Sequence, residues 1–163
     1  MAQLLILRGA MGAGKSDVTK ELRQRRPALK VIEIDDLKRA KYGTTEKCNP
    51  PVDFPEAGRL AKADLDDGCH TVVVEPLCEV EHLQFVLNAT GRSENSPDVS
   101  IVWLDCSLET AIARKGAAYP RSVIEGQHRR YAGRYRPKGE VVIATDRVSV
   151  CEVAEAVLGI IPH

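Results

Sequence analysis

Gly9-Ala10-Met11-Gly12-Ala13-Gly14-Lys15-Ser16 decides how the rest of this chain is read. The octapeptide fits the phosphate-binding loop pattern G-x-x-x-x-G-K-[ST] and follows Leu4-Leu5-Ile6-Leu7, a short apolar run that predicts a buried strand. Asp17–Arg26, free of Gly and Pro, predicts a helix behind it. Strand, loop and helix in that order let backbone amides converge on an anion at the positive end of a helix. Gly9, Gly12, Ala13 and Gly14 would supply the wrapping backbone, Lys15 would reach the β- and γ-phosphates, and the Ser16 hydroxyl would ligate Mg²⁺. The loop therefore implies a nucleoside triphosphate ligand.

Length and composition bound the remainder. A chain of 163 residues suits one domain with a real core. It is 44% hydrophobic and 28% charged, ordinary for a soluble globular protein. With 23 basic and 23 acidic residues the formal charge is zero, so no global field draws it to nucleic acid or membrane. Aromatic residues make up 4%, too few for a surface that stacks many bases. Five widely spaced cysteines without a C-x-x-C pair argue against a metal or disulfide framework and for a reducing, cytoplasmic setting. Cys69, Cys106 and Cys151, in or beside apolar segments, are expected to be buried. No run approaches the roughly 18–20 apolar residues of a membrane span.

Apolar runs at Leu4–Leu7, Val31–Ile34, Thr71–Val74, Ser100–Leu104 and Val141–Ala144 are continuous, which predicts strands of a parallel sheet covered on both faces. Helical spacing separates them at Val80, Leu83, Val86 and Leu87 and at Leu108, Ala111 and Ile112. Ser149 and Glu152 form a capping box before Val153, Ala156, Val157 and Ile160. Alternation of this kind makes an α/β sandwich. Gly43–Pro55, with three prolines, reads as a loop, and Lys115–Gly139 as a basic excursion able to bend over the site at Gly116 and Pro120.

Ile34-Asp35-Asp36 closes the second strand, where a carboxylate can face a γ-phosphate and accept the proton of an attacking hydroxyl. Asp35 is the better candidate, since adjacent positions on an extended strand point opposite ways, and Asp36 could cap Leu37–Tyr42. Glu75 ends the third strand where an acid can hold Mg²⁺ directly or through water, or contact substrate. Asp105 is expected to cap the helix near Leu108. Arg114 and Arg121 are the leading cations for a transferring phosphate, ahead of Arg129 and Arg130, while several arginines of that run should be surface charge. His70, His82, His128 and His163 show no ligand or triad spacing.

These motifs resemble the small P-loop kinases, which include gluconate, shikimate and adenylyl-sulfate kinases, chloramphenicol phosphotransferase and the 5′-hydroxyl polynucleotide kinases. The resemblance spans most of the chain in element order, with its sharp motifs at residues 9–16, 35–36 and 114–121. It implies a single domain over residues 1–163: a three-layer α/β sandwich around a five-stranded parallel sheet of order 2-3-1-4-5, with a lid at about 115–139. It further implies ATP and Mg²⁺ as cofactors, Asp35 toward the acceptor hydroxyl, Arg114 and Arg121 in the lid, and Thr145-Asp146-Arg147 beside adenine, hence Thr145 and Arg147 as nucleotide contacts. Asp36 and Lys38 fall on the acceptor side, with Lys38 where polynucleotide kinases have Arg. Asp17 departs from the usual Thr, and Glu75-Pro76-Leu77 replaces the Asp-Gly-x-Pro-Arg signature of nucleoside monophosphate kinases.

The expected activity is ATP- and Mg²⁺-dependent phosphorylation of a hydroxyl on a small molecule. A polynucleotide 5′-hydroxyl kinase is one alternative. A nucleotide-dependent switch or binding module is the other, weakened because no water-positioning residue stands out.

Overall fold

A computed structural model describes residues 1–76 and 78–161; Leu77, Pro162 and His163 lie outside the described residues. Five strands, β1 (Leu4–Gly9), β2 (Lys30–Glu33), β3 (Thr71–Val74), β4 (Val99–Asp105) and β5 (Val141–Ala144), form one parallel sheet in the order β2-β3-β1-β4-β5. The connecting helices are α1 (Lys15–Arg25), α2 (Ile34–Tyr42), α3 (Pro50–Asp66), α4 (Val80–Thr90), α5 (Leu108–Lys115), α6 (Arg121–Ala132) and α7 (Val150–Leu158). The strand order is the one that the resemblance implies.

Alternation along the central strand divides the core in two. Leu5 and Leu7 pack with Val18, Leu22, Val153 and Val157 from α1 and α7, while Leu4 and Ile6 pack with Phe54, Ala57, Leu83 and Val86 from α3 and α4. These four apolar β1 side chains are fully buried, each worth about 2 kcal/mol of transfer free energy. Being central and parallel, β1 delivers its loop to the carboxyl edge of the sheet, where open α/β sheets bind ligands.

Several expectations shift. β2 stops at Glu33, so Asp35 and Asp36 lie in the first turn of α2, not on a strand, and their carboxylates favour the positive helix end. Residues 50–55 are not loop: α3 begins there, with Pro50 at the first helical position and buried Asp53 accepting from the Asn49 amide at 2.6 Å. Asn49-Pro50 was the readable signal. Asp105 accepts from Trp103 Nε1, and the Ser107 side chain caps α5 in its place, held by Asp146. On α7 the capping box is present, but Ala154 rather than Ala156 is buried. Cys106 is buried, Cys69 half-buried and Cys151 exposed.

Part of the basic excursion is core. Arg134 lies 3.8 Å from the centroid of the Trp103 ring, and Arg8, the register partner of Trp103, lies 5.5 Å from it. Glu140 joins both guanidiniums, at 2.6 Å from Arg8 and 2.8 Å from Arg134, with its side chain 4% exposed and that of Arg8 0%. Burial lowers the Arg8 pKa, Glu140 opposing that and Arg134 adding to it. Two cations on one buried carboxylate leave little margin. Glu140→Gln is expected to destabilise the protein by about 3–5 kcal/mol in urea unfolding, because it strands both charges; a change under about 1 kcal/mol would refute that role.

Candidate active site

The phosphate loop keeps its shape through close packing. Gly12 sits at φ 84°, and a Cβ there would come within 2.7 Å of the Ala111 Cα, so the loop lies directly on α5. No side chain caps the start of α1 at Gly14, which leaves its first amides free for an anion. Lys15 Nζ donates to the Gly9 carbonyl at 2.5 Å and to that of Ala10 at 3.1 Å. Burial lowers its pKa, while Glu75 and Asp35 pull the other way.

Arg114 reaches from the end of α5 to the Gly12 carbonyl at 2.9 Å and to the Thr145 hydroxyl and carbonyl at 3.1 and 2.7 Å. It thereby ties the loop to the turn after β5. Asp146 in that turn accepts from Thr110 and Ser107, which hold its pKa down at about 2. Thr145 is buried and Arg147 exposed on the same turn, and neither lines the cavity.

A cavity of about 360 Å³ opens over the loop. Its phosphate end is formed by Gly12, Gly14, Lys15, Ser16, Arg114 and Lys115, and its far end by Asp35, Thr45, Glu75, Gln127 and Tyr131. Asp17 and Tyr119 also border it. The α2 turn places Asp35 inward; Asp36 points to solvent and pairs with Arg39. Arg121 stands apart from the cavity, exposed and paired with Glu125 at 2.7 Å. Thr45, Gln127 and Tyr131 escaped the sequence reading because they carry no motif. Each reaches the cavity through the path of the chain around α2 and α6.

Lys38, buried on α2, lies between Asp35 at 3.1 Å and Glu75 at 3.3 Å. Burial works against its charge, but the two carboxylates outweigh it and the pKa rises. Glu75 moves the other way as an acid: burial, then repulsion by Asp35, overcome Lys38 and push its pKa up to about 6. The donor set fits Mg²⁺ held by the Ser16 hydroxyl, with further ligands from phosphate and water. Glu75, occupied by Lys38, would act on it through water. Among the described residues no helix is long and apolar enough to cross a membrane.

The Glu75 shift sets a pH signature. Its pKa is about 6 in the fold against an ordinary 4.5, so ionising it costs the native state about 2 kcal/mol, a cost absent below pH 4.5 and complete above pH 6. The stability advantage of Glu75→Gln over the parent should grow by about 2 kcal/mol between pH 4.5 and pH 7.5 in chemical denaturation. A shrinking advantage would mean that Lys38 stabilises the carboxylate outright.

No family model matches the sequence, and no curated protein is significantly similar to it. Solved structures do match in shape. The tunicamycin resistance protein of Deinococcus radiodurans superposes with a TM-score of 0.71 at 15% identity, over 98% of this chain and 95% of that one. A sugar kinase from Janibacter gives 0.69 at 16% identity, over 98% and 94%. The APS kinase of Mycobacterium tuberculosis gives 0.65 at 20% identity, over 97% and 96%. The chain has the α/β fold of the small P-loop kinases.

Proposed function

We propose that the protein transfers the γ-phosphate of ATP to a hydroxyl of a small molecule. One observation carries the reading: a single cavity is lined both by the phosphate loop with Lys15 and by the Asp35 carboxylate. A donor and an acceptor bound there would face each other in line. An open, polar cavity beside Asp35 suits a second substrate better than it suits a nucleotide-dependent switch.

The residues divide the work. The amides of residues 12–16 and the N-terminus of α1 would hold the phosphates. Lys15 would exchange its carbonyl partners for β- and γ-oxygens, and Arg114, already fixed on the loop, would sit against the same charge. Mg²⁺, when bound through Ser16, would neutralise charge across the β- and γ-phosphates. Asp35 would orient the acceptor hydroxyl and take its proton. Lys38, held by Asp35 and Glu75, fixes the direction of the Asp35 carboxylate.

Purified protein incubated with labelled ATP, Mg²⁺ and a collection of hydroxyl compounds should label at least one of them. Asp35→Asn is expected to lower that transfer by roughly 10²–10⁴-fold with binding of a non-hydrolysable ATP analogue retained. Unchanged turnover would remove Asp35 from the reaction, and ATP hydrolysis without transfer to any compound would favour the switch.

A further inference from the structure

Apart from Asp17 at the loop, the charged residues that line the cavity divide by element. The cations that line it, Lys15, Arg114 and Lys115, all belong to the phosphate loop or α5. At the far end stand two carboxylates, Asp35 and Glu75, with the ammonium of Lys38 between them and that of Lys15 within reach of both. None of the α6 arginines lines the cavity: Arg121 pairs with Glu125, and Arg130, whose charge reaches Tyr131, pairs with Glu79. Once a triphosphate takes up Lys15, Lys38 alone faces the two carboxylates.

A second observation points to a ligand there. Tyr131 is 9% exposed, its ring packed edge-on against Trp103, and it borders the cavity. Its hydroxyl makes no hydrogen bond among the described residues. The fields of Glu75 and Asp35 reach it, adding to the burial that raises its pKa. With its ring buried and its hydroxyl left accessible where two cavities adjoin, this phenol is available to a polar group from outside.

We infer that the acceptor is a polyhydroxyl compound carrying no acidic group, a neutral or amine-bearing sugar or cyclitol, held between Asp35, Glu75 and the Tyr131 hydroxyl. This rests on the kinase reading of the same site. Hydroxyl and ammonium groups donate to carboxylates, whereas a carboxylate, sulfate or phosphate placed there would meet like charge without the arginine fork that usually receives it. The acceptors of gluconate, shikimate and adenylyl-sulfate kinases are anions, as is a polynucleotide end. The far end of this cavity is built against that charge.

Two measurements test it separately from the kinase reading. In the first, Thr45→Cys, or Gln127→Cys if that fails to fold, places a thiol at the far end. Its modification by cationic and anionic methanethiosulfonates is followed by peptide mass spectrometry. The cationic reagent should react roughly fivefold or more faster than the anionic one, relative to a free thiol, and Glu75→Gln should shrink that ratio. A ratio of one or below overturns the inference whether or not the protein is a kinase. In the second, glucitol, glucamine and gluconate, with neutral, aminated, carboxylated and phosphorylated alcohols beside them, compete as acceptors of labelled phosphate from ATP. Accepted compounds should fall in the neutral and aminated groups. Transfer chiefly to an anionic compound overturns the inference and leaves the kinase standing. Failure to label anything, with the thiol ratio as expected, overturns the kinase and leaves the charge preference standing. For the best acceptor, Tyr131→Phe should raise KM roughly threefold to tenfold with kcat kept; an unchanged KM would remove Tyr131 from the contact.

Discussion

A buried arginine one residue before the phosphate loop constrains everything built on that loop. Arg8 stands in the central strand among fully buried leucines, and a charge there needs a partner inside the protein. Glu140 supplies it from the segment between α6 and β5, and Arg134 shares the same carboxylate. The backbone of that segment is fixed as well, because Arg8 also donates to the Tyr135 carbonyl and the Tyr135 amide to that of Cys78. Neutralising one charge thus fixes where α6 ends. Tyr131, near that end, packs with Trp103, Ala10 and Cys78 and forms part of one wall of the cavity.

The meeting of cations and carboxylates in the cavity has a similar cause. Parallel topology brings the carboxyl ends of β1, β2 and β3 side by side, so Lys15, Asp35 and Glu75 converge although sixty residues of chain separate the first from the last. Coulomb attraction across that gap tempers the desolvation of each without cancelling it, which is why Lys15 falls and Glu75 rises in pKa. Charges of both signs kept under such strain, next to a loop shaped for phosphate, are the usual condition of a reacting site.

What could be read in the sequence was whatever depends on local pattern. Continuous apolar runs marked all five strands, glycine spacing marked the loop, and Ser149 with Glu152 marked the last helix start. Where tertiary contact overrides local pattern the reading failed. The prolines of residues 50–55 suggested a loop, yet Asn49 and the back-reaching Asp53 turn them into a helix start. Nothing in the basic run singled out Arg134, because its partners, Trp103 and Glu140, stand beside it only in the fold. Arg8 between Leu7 and Gly9 was the one visible sign that a buried charge required an answer elsewhere. The far wall of the cavity was illegible for a related reason: Thr45, Gln127 and Tyr131 come from three places in the chain and carry no shared spacing.

The loop is held in shape before any phosphate reaches it. Arg114 bonds the Gly12 carbonyl and Thr145 together, and Ala111 fills the space that a side chain at position 12 would need. Lys15, by contrast, is held by two carbonyls of the loop it serves, and those bonds are what a triphosphate would displace. Binding then exchanges partners at one flexible side chain while the backbone stays where the fold put it. The ordering entropy is met during folding rather than at each encounter, and the attraction of phosphate for Lys15 and the α1 amides is left to act on position. That arrangement holds the donor in one orientation, so selection among acceptors falls to the charge and hydrogen bonds of the opposite wall.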